Sequence, residues 1–114
     1  MTQHASLTVE RWSRFALEQQ ILMIGNEMHR TTRLLSDSDP ESRRRGYERV
    51  LRLTDLTVET NARLLLRREL LRWRDLAAAL YVAAAADPVA HRAAFRMLLQ
   101  LHPVPARQIP VLLD

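Results

Sequence analysis

Only two glycines, Gly25 and Gly46, interrupt a chain of 114 residues. A sheet with tight turns needs residues that reach left-handed backbone conformations. Alanine, leucine and arginine, abundant here, lose little side-chain freedom in a helix. The expectation is therefore an all-α fold. Start signals divide it. In "DSDPES" Asp39 can cap the free N–H groups of a helix whose first position is Pro40, and "ADPVA" repeats the device with Asp87 and Pro88. Thr8 can cap an earlier helix, with Glu10 at the positive end of its dipole. An unbroken helix from Glu41 to Ala85 would run about 67 Å, too long for a small domain, so a turn is expected near residues 59–62. The predicted organisation is a single domain over 1–114, an antiparallel four-helix bundle. Its helices cover about 8–35, 40–59, 61–85 and 88–101, followed by a short proline-rich tail over 102–114 with extended structure.

At 100° per residue the second predicted helix is simple: Tyr47, Val50, Leu51, Thr54, Thr57 and Val58 share one face, with Arg45, Glu48, Arg52 and Glu59 opposite. The fourth turns Ala90, Ala94, Met97, Leu98 and Leu101 inward. The first and third are harder. Gln20 and Glu27 lie near the centre of a broad apolar arc on the first. Glu69 falls in phase with Leu66, Trp73, Leu76 and Leu80 on the third. Both also carry apolar residues outside the main face: Phe15 and Leu22 on one, Leu64, Leu71 and Val82 on the other. These five form a predicted oligomer surface, since a second stripe needs a second packing partner.

A buried carboxylate has to be paired, protonated or metal-bound. Glu27 is followed three residues on by Arg30, and Glu69 by Arg72, a spacing that places each pair together on a helix surface. A planar guanidinium can bridge helices through two-pronged hydrogen bonds, so Gln20, Glu27, Arg30, Glu69 and Arg72 form a predicted interhelical polar cluster or pocket. Ferritin-like metal sites use histidine three residues after the glutamate. Arginine at both positions would repel a cation, and no metal or other cofactor is expected. His29 adjoins Glu27, but its helical phase lies near Arg11 and Glu18 and turns it to solvent, and His4 and His91 have no convergent partners in sequence. There is no nucleophile elbow, phosphate-cradling glycine loop or dinucleotide fingerprint, and no catalytic residue is assigned.

All 17 basic residues are arginine and the net charge is +4. A total absence of lysine points to coding bias, so the basic balance is discounted as a sign of nucleic-acid binding. Arg43, Arg44 and Arg45 fan around a helix start and cannot share one groove-facing strip. Without cysteine there is no disulfide framework or thiolate zinc site, and no apolar run approaches the roughly 20 residues of a membrane span. The expected location is cytoplasmic, with no membrane partner.

Two resemblances add to this. "RMLLQLH", from Arg96 to His102, resembles the arginine and histidine pattern of HEPN-type RNA-cleaving nucleases, although Met97 stands where that family has a polar residue and Pro103 follows directly. More broadly, Trp12, "EQQILMIGNEMHR" (18–30), "YERVLRLTDLTVE" (47–59) and "RRELLRWRDL" (67–76) are similar to a group of small uncharacterised bacterial all-α proteins. Those share a tryptophan, an EQ and IG-x-E segment, a D-L-T segment and an E-L-x-R-x-R-[DE] segment. The resemblance covers about residues 9–82. It implies that Glu18, Glu27, Arg30, Asp55, Glu69, Arg72 and Asp75 belong to a recurrent pattern, and it implies no activity. The function expected is that of a non-enzymatic interaction protein, self-associating as a homodimer, with a possible further protein partner. The alternatives are a nucleic-acid-binding or HEPN-like RNase domain, and a ligand binder using Glu27 and Glu69.

Overall fold

The computed structural model describes residues 7–36 and 38–113. These form helices α1 (Val9–Trp12), α2 (Leu17–Thr32), α3 (Pro40–Thr60), α4 (Leu64–Val82), α5 (Pro88–Leu99), α6 (Pro103–Ala106) and α7 (Ile109–Leu112), with no strand among the described residues. The helix starts have local causes. Asp39 accepts the Ser42 N–H at 3.1 Å and Asp87 the Ala90 N–H at 3.0 Å, each beside a proline that has no N–H to satisfy. Thr8 caps α1 by accepting the Arg11 N–H.

Helix α2 packs against α3, α3 against α4, α4 against α5, and α5 back against α2, closing a ring. Its centre is filled by Ile21, Ile24 and Met28 of α2, Tyr47, Val50 and Leu53 of α3, Leu70, Trp73 and Ala77 of α4, and Phe95, Leu98 and Leu99 of α5. The Trp73 indole N–H donates to the Ala94 carbonyl at 2.7 Å and fastens α4 to α5. Asn61 and Arg67 shape the turn between α3 and α4. The Asn61 amide donates to the Thr57 carbonyl, and the Arg67 guanidinium to the Asn61 carbonyl at 2.6 Å.

The predicted first helix is broken. Residues 13–16 separate α1 from α2, and the backbone at Ala16 is extended. Gln20 supports the break: its side-chain amide donates to the carbonyls of Trp12 (2.9 Å) and Phe15 (3.2 Å), and its oxygen accepts from Asn61 at 3.0 Å. A polar residue in an apolar arc thus supplies donors to carbonyls near the break. The tail is not extended either. Pro103 opens α6 and Pro110 lies in the first turn of α7, positions where a missing N–H costs nothing. Helix α4 stops at Val82, before the alanine run.

Gly46 lies at a close approach of α3 to α2. A Cβ there would overlap the Thr31 hydroxyl oxygen and lie 3.3 Å from the Thr31 methyl carbon. Thr31 is itself buried, its hydroxyl donating to the Glu27 carbonyl at 2.8 Å, so it has little room to yield. Gly46→Ala should therefore destabilise by about 2 kcal/mol, although alanine is the better helix former by about 1 kcal/mol. Urea unfolding of Gly46→Ala in wild-type and Thr31→Ala backgrounds checks this. The penalty should vanish where the threonine oxygen and methyl are gone.

Candidate functional site

Five residues were predicted to share a polar cluster; the structure keeps Glu27 and Arg30 together and places Gln20, Glu69 and Arg72 elsewhere. Glu27 is buried, 2% exposed, and accepts from Nε of Arg49 at 2.9 Å and from Arg30 at 3.3 Å. Arg49 belongs to α3, so the bridge runs from α2 to α3. Gln20 lies more than one turn before Glu27, engaged in the network at the α1–α2 break. Glu69 and Arg72 are exposed on α4, correcting the expectation that Glu69 is buried. The ring places α2 and α4 each against α3 and α5, so Glu27 and Glu69 belong to different parts of the ring: Glu27 is buried against α3 and Glu69 is exposed on α4.

The α4 pattern misled because leucines and alanines occupy most of its circumference. Leu66, Leu70, Trp73, Ala77 and Leu80 face the core, while Leu64, Leu65, Leu71, Leu76 and Val82 remain exposed. Helix α5 shows a similar shift of phase. His91, Ala94, Phe95, Leu98 and Leu99 turn inward, whereas Ala90 and Met97 face out. Of the predicted oligomer surface, Leu64, Leu71 and Val82 are exposed on α4. Phe15 is exposed as well, by 37%, while lying edge-on to Trp12 with ring centroids 5.7 Å apart, whereas Leu22 packs partly buried against the core.

These shifts open an apolar groove along the outside of the α4–α5 junction. One section, about 270 Å³, is lined by Leu76, Ala79, Leu80, Ala83, Ala90, Ala93, Ala94 and Met97, with Asp87 at its edge. The adjoining section, about 340 Å³, is lined by Trp73, Leu76, Met97 and Leu101, with Glu69 and Arg72. Leu76 and Met97 line both, so the two sections adjoin at these side chains. Glu69 falls in phase with the apolar stripe because it lies at the rim of a groove that is itself apolar.

A second cleft, about 460 Å³, lies between α3 and α4 and is lined by Glu48, Asp55, Glu59, Arg52 and Tyr81 with Leu51 and Leu56. Glu48, Arg52, Asp55 and Tyr81 are engaged with one another or with neighbours. Asp55 is paired with Arg74, the Tyr81 hydroxyl donates to Glu48 at 3.0 Å, and Arg52 donates to the Leu7 carbonyl.

His91 is a buried polar residue whose partners the sequence did not disclose. Its ring is buried between three helices, with Nδ1 2.8 Å from the Tyr47 hydroxyl and Nε2 3.1 Å from the Met28 carbonyl. A carbonyl can only accept, so Nε2 carries the hydrogen and Nδ1 accepts from Tyr47. The Thr32 hydroxyl lies 3.0 Å from Nε2 and donates to the same Met28 carbonyl. Burial pulls the imidazole pKa down to about 4, against the Met28 hydrogen bond, which favours the charged form. Desolvation likewise pushes the Tyr47 phenol up to about 12.

Neither a family model, nor a curated protein, nor a solved structure matches the chain. The HEPN-like pair is not on one helix. Arg96 is in the last turn of α5, which ends at Leu99, and His102 caps α6, accepting the Val104 N–H at Nδ1 while Nε2 lies 3.5 Å from Glu18. The arginine run splits as well: Arg43 is buried, while Arg44 and Arg45 are exposed and Arg45 contacts Glu41. Among the described residues no three histidine or carboxylate groups come together as a metal would require, and no helix is long and apolar enough to cross a membrane.

Proposed function

We propose that this protein is a non-enzymatic interaction module, an antiparallel four-helix bundle of α2 to α5 that works as a cytoplasmic homodimer and needs no cofactor. The outer side of α4 carries the reading. Five large apolar residues of this one nineteen-residue helix are exposed, Leu65 by 69% and Val82 by 74%. Apolar surface concentrated in this way marks a place where another protein surface docks. The antiparallel arrangement is supported by the order of the α2–α3 pairs: Gln20 bonds Asn61, Glu27 bonds Arg49 and Thr31 faces Gly46, so one number rises as the other falls. Kinship with the small bacterial all-α group is part of the same proposal. It draws its support from Glu27 and Asp55, two of the recurrent charged positions, each held in an ion pair between helices.

Light scattering across the elution peak, with absorbance recorded at 260 and 280 nm, tests the reading. The expected result is twice the chain mass and a protein-like absorbance ratio. A monomer at about 100 µM, or a peak rich in 260 nm absorbance, would overturn it.

A further inference from the structure

We propose that His91 works as an acid-operated latch: α5 stays docked on α2 and α3 while the imidazole is neutral, and is released when the ring gains a proton, with α2, α3 and α4 still packed together. The device stands on where the ring lies. His91 belongs to the first turn of α5, and its two nitrogens reach two other helices, Nε2 donating to the Met28 carbonyl of α2 and Nδ1 accepting from Tyr47 of α3. A proton on Nδ1 takes away the acceptor for the Tyr47 hydroxyl and leaves a cation in a site that is 1% exposed. The other neighbours of the ring are the Thr32 hydroxyl and the Phe95 ring, so no carboxylate is among its bonding partners in the described residues. Further out, Arg43 of α3 and Asp87 at the start of α5 both act on the Tyr47 hydroxyl, with opposite signs.

The other helices are fastened to one another without α5. Glu27 pairs with Arg49 between α2 and α3, Gln20 accepts from Asn61 at the α3–α4 turn, and Asp55 with Arg74 and Glu48 with Tyr81 join α3 to α4. The Trp12 indole donates to Thr57 and holds α1 to α3. Helix α5 meets its neighbours through His91, through the Ala94 carbonyl that accepts from Trp73, and through Phe95 and Leu99 beside Gly25 of α2. Beyond α5, His102 lies 3.5 Å from Glu18 of α2. Protonation strengthens that contact, so acid loosens α5 at its start while α6 stays tethered to α2.

Hydrogen exchange of the full chain between pH 7.5 and 4, corrected for the intrinsic pH dependence of exchange, reads the opening directly. The protected amides of α5 should exchange through a smaller opening, with a shallower urea dependence, than residues 50–56 of α3. With an imidazole pKa of about 4 when docked and the ordinary 6.5 when released, the open population of α5 should rise about thirtyfold from pH 7.5 to 5. The two indole N–H groups supply an internal control, since Trp73, bonded to Ala94, should exchange with α5 and Trp12, bonded to Thr57, with α3. In His91→Gln the rise should shrink to less than about threefold. Tyr47→Phe keeps the imidazole but removes the hydrogen bond to its neutral form, so the docked ring takes a proton more readily and the rise should level off at a higher pH than in the wild type. A single opening free energy and urea slope shared by α5 and α3 at every pH would overturn the latch, because α5 would then not come away separately. A rise that persists in His91→Gln, or a response that Tyr47→Phe leaves in place, would overturn it by assigning the acid response to other groups.

Discussion

Replacing His91 by alanine is expected to cost about 4 kcal/mol of folding stability and to remove most of the acid sensitivity of the fold. The first effect combines a cavity, where a fully buried ring had been, with the loss of the acceptor for the Tyr47 hydroxyl and of the donor to the Met28 carbonyl. The second follows from the imidazole pKa, about 4 in the fold against an ordinary 6.5. Between those values the unfolded chain takes up a proton that the folded chain does not. Stability from this group is complete above about pH 6.5 and is lost as the pH falls toward 4. Going from pH 7.5 to 5 should cost the wild type about 2 kcal/mol by this route. Urea unfolding at the two pH values, in wild type and in His91→Gln, checks it. A slope that persists in the glutamine variant would assign the acid sensitivity to other groups.

The two anomalous glutamates should respond in opposite ways. Glu27→Ala is expected to destabilise by about 3 kcal/mol, because it strands Arg49, whose side chain is 24% exposed and packed between helices. Arg30 adds little, since it is largely in water. Glu69→Ala should change stability by less than about 0.5 kcal/mol, as expected for an exposed side chain away from any cap. Chemical denaturation of both variants decides the point, and a cycle with Arg49→Ala isolates the pair. A large loss from Glu69→Ala would place that carboxylate in the core and invalidate the groove-rim assignment.

What was legible in the sequence depends on how local its cause is. The all-helical class follows from composition, and the caps at Asp39 and Asp87 act within three residues of themselves. The inward face of α3 is legible in part: Tyr47, Val50, Thr54 and Thr57 are buried as the phase predicts, but so are Leu53 and Leu56 outside the predicted face, because α3 packs against both α2 and α4. Helix α4 has no contrast between its faces: Leu65 and Leu76 at the surface look like Leu66 and Leu70 in the core, so helical phase alone could not tell a groove from a core. The break at 13–16 contains neither glycine nor proline, and it is supported by Gln20, five and eight residues further on. Prolines in the tail were ambiguous for a different reason. The same missing N–H that stops a helix also suits its first turn, and Pro103 takes the second role. His91 was least legible, because its partners Tyr47 and Met28 lie 44 and 63 residues away.

That last separation gives the ring of helices a seam. The α2–α3 bridge between Glu27 and Arg49 spans 22 residues, whereas the α5–α2 closure through His91 and Met28 spans 63. The longer loop costs about 1 kcal/mol more chain entropy to close. The neighbouring hairpins can therefore assemble before α5 docks, and the junction that completes the ring during folding is also the one whose opening returns the most freedom to the chain.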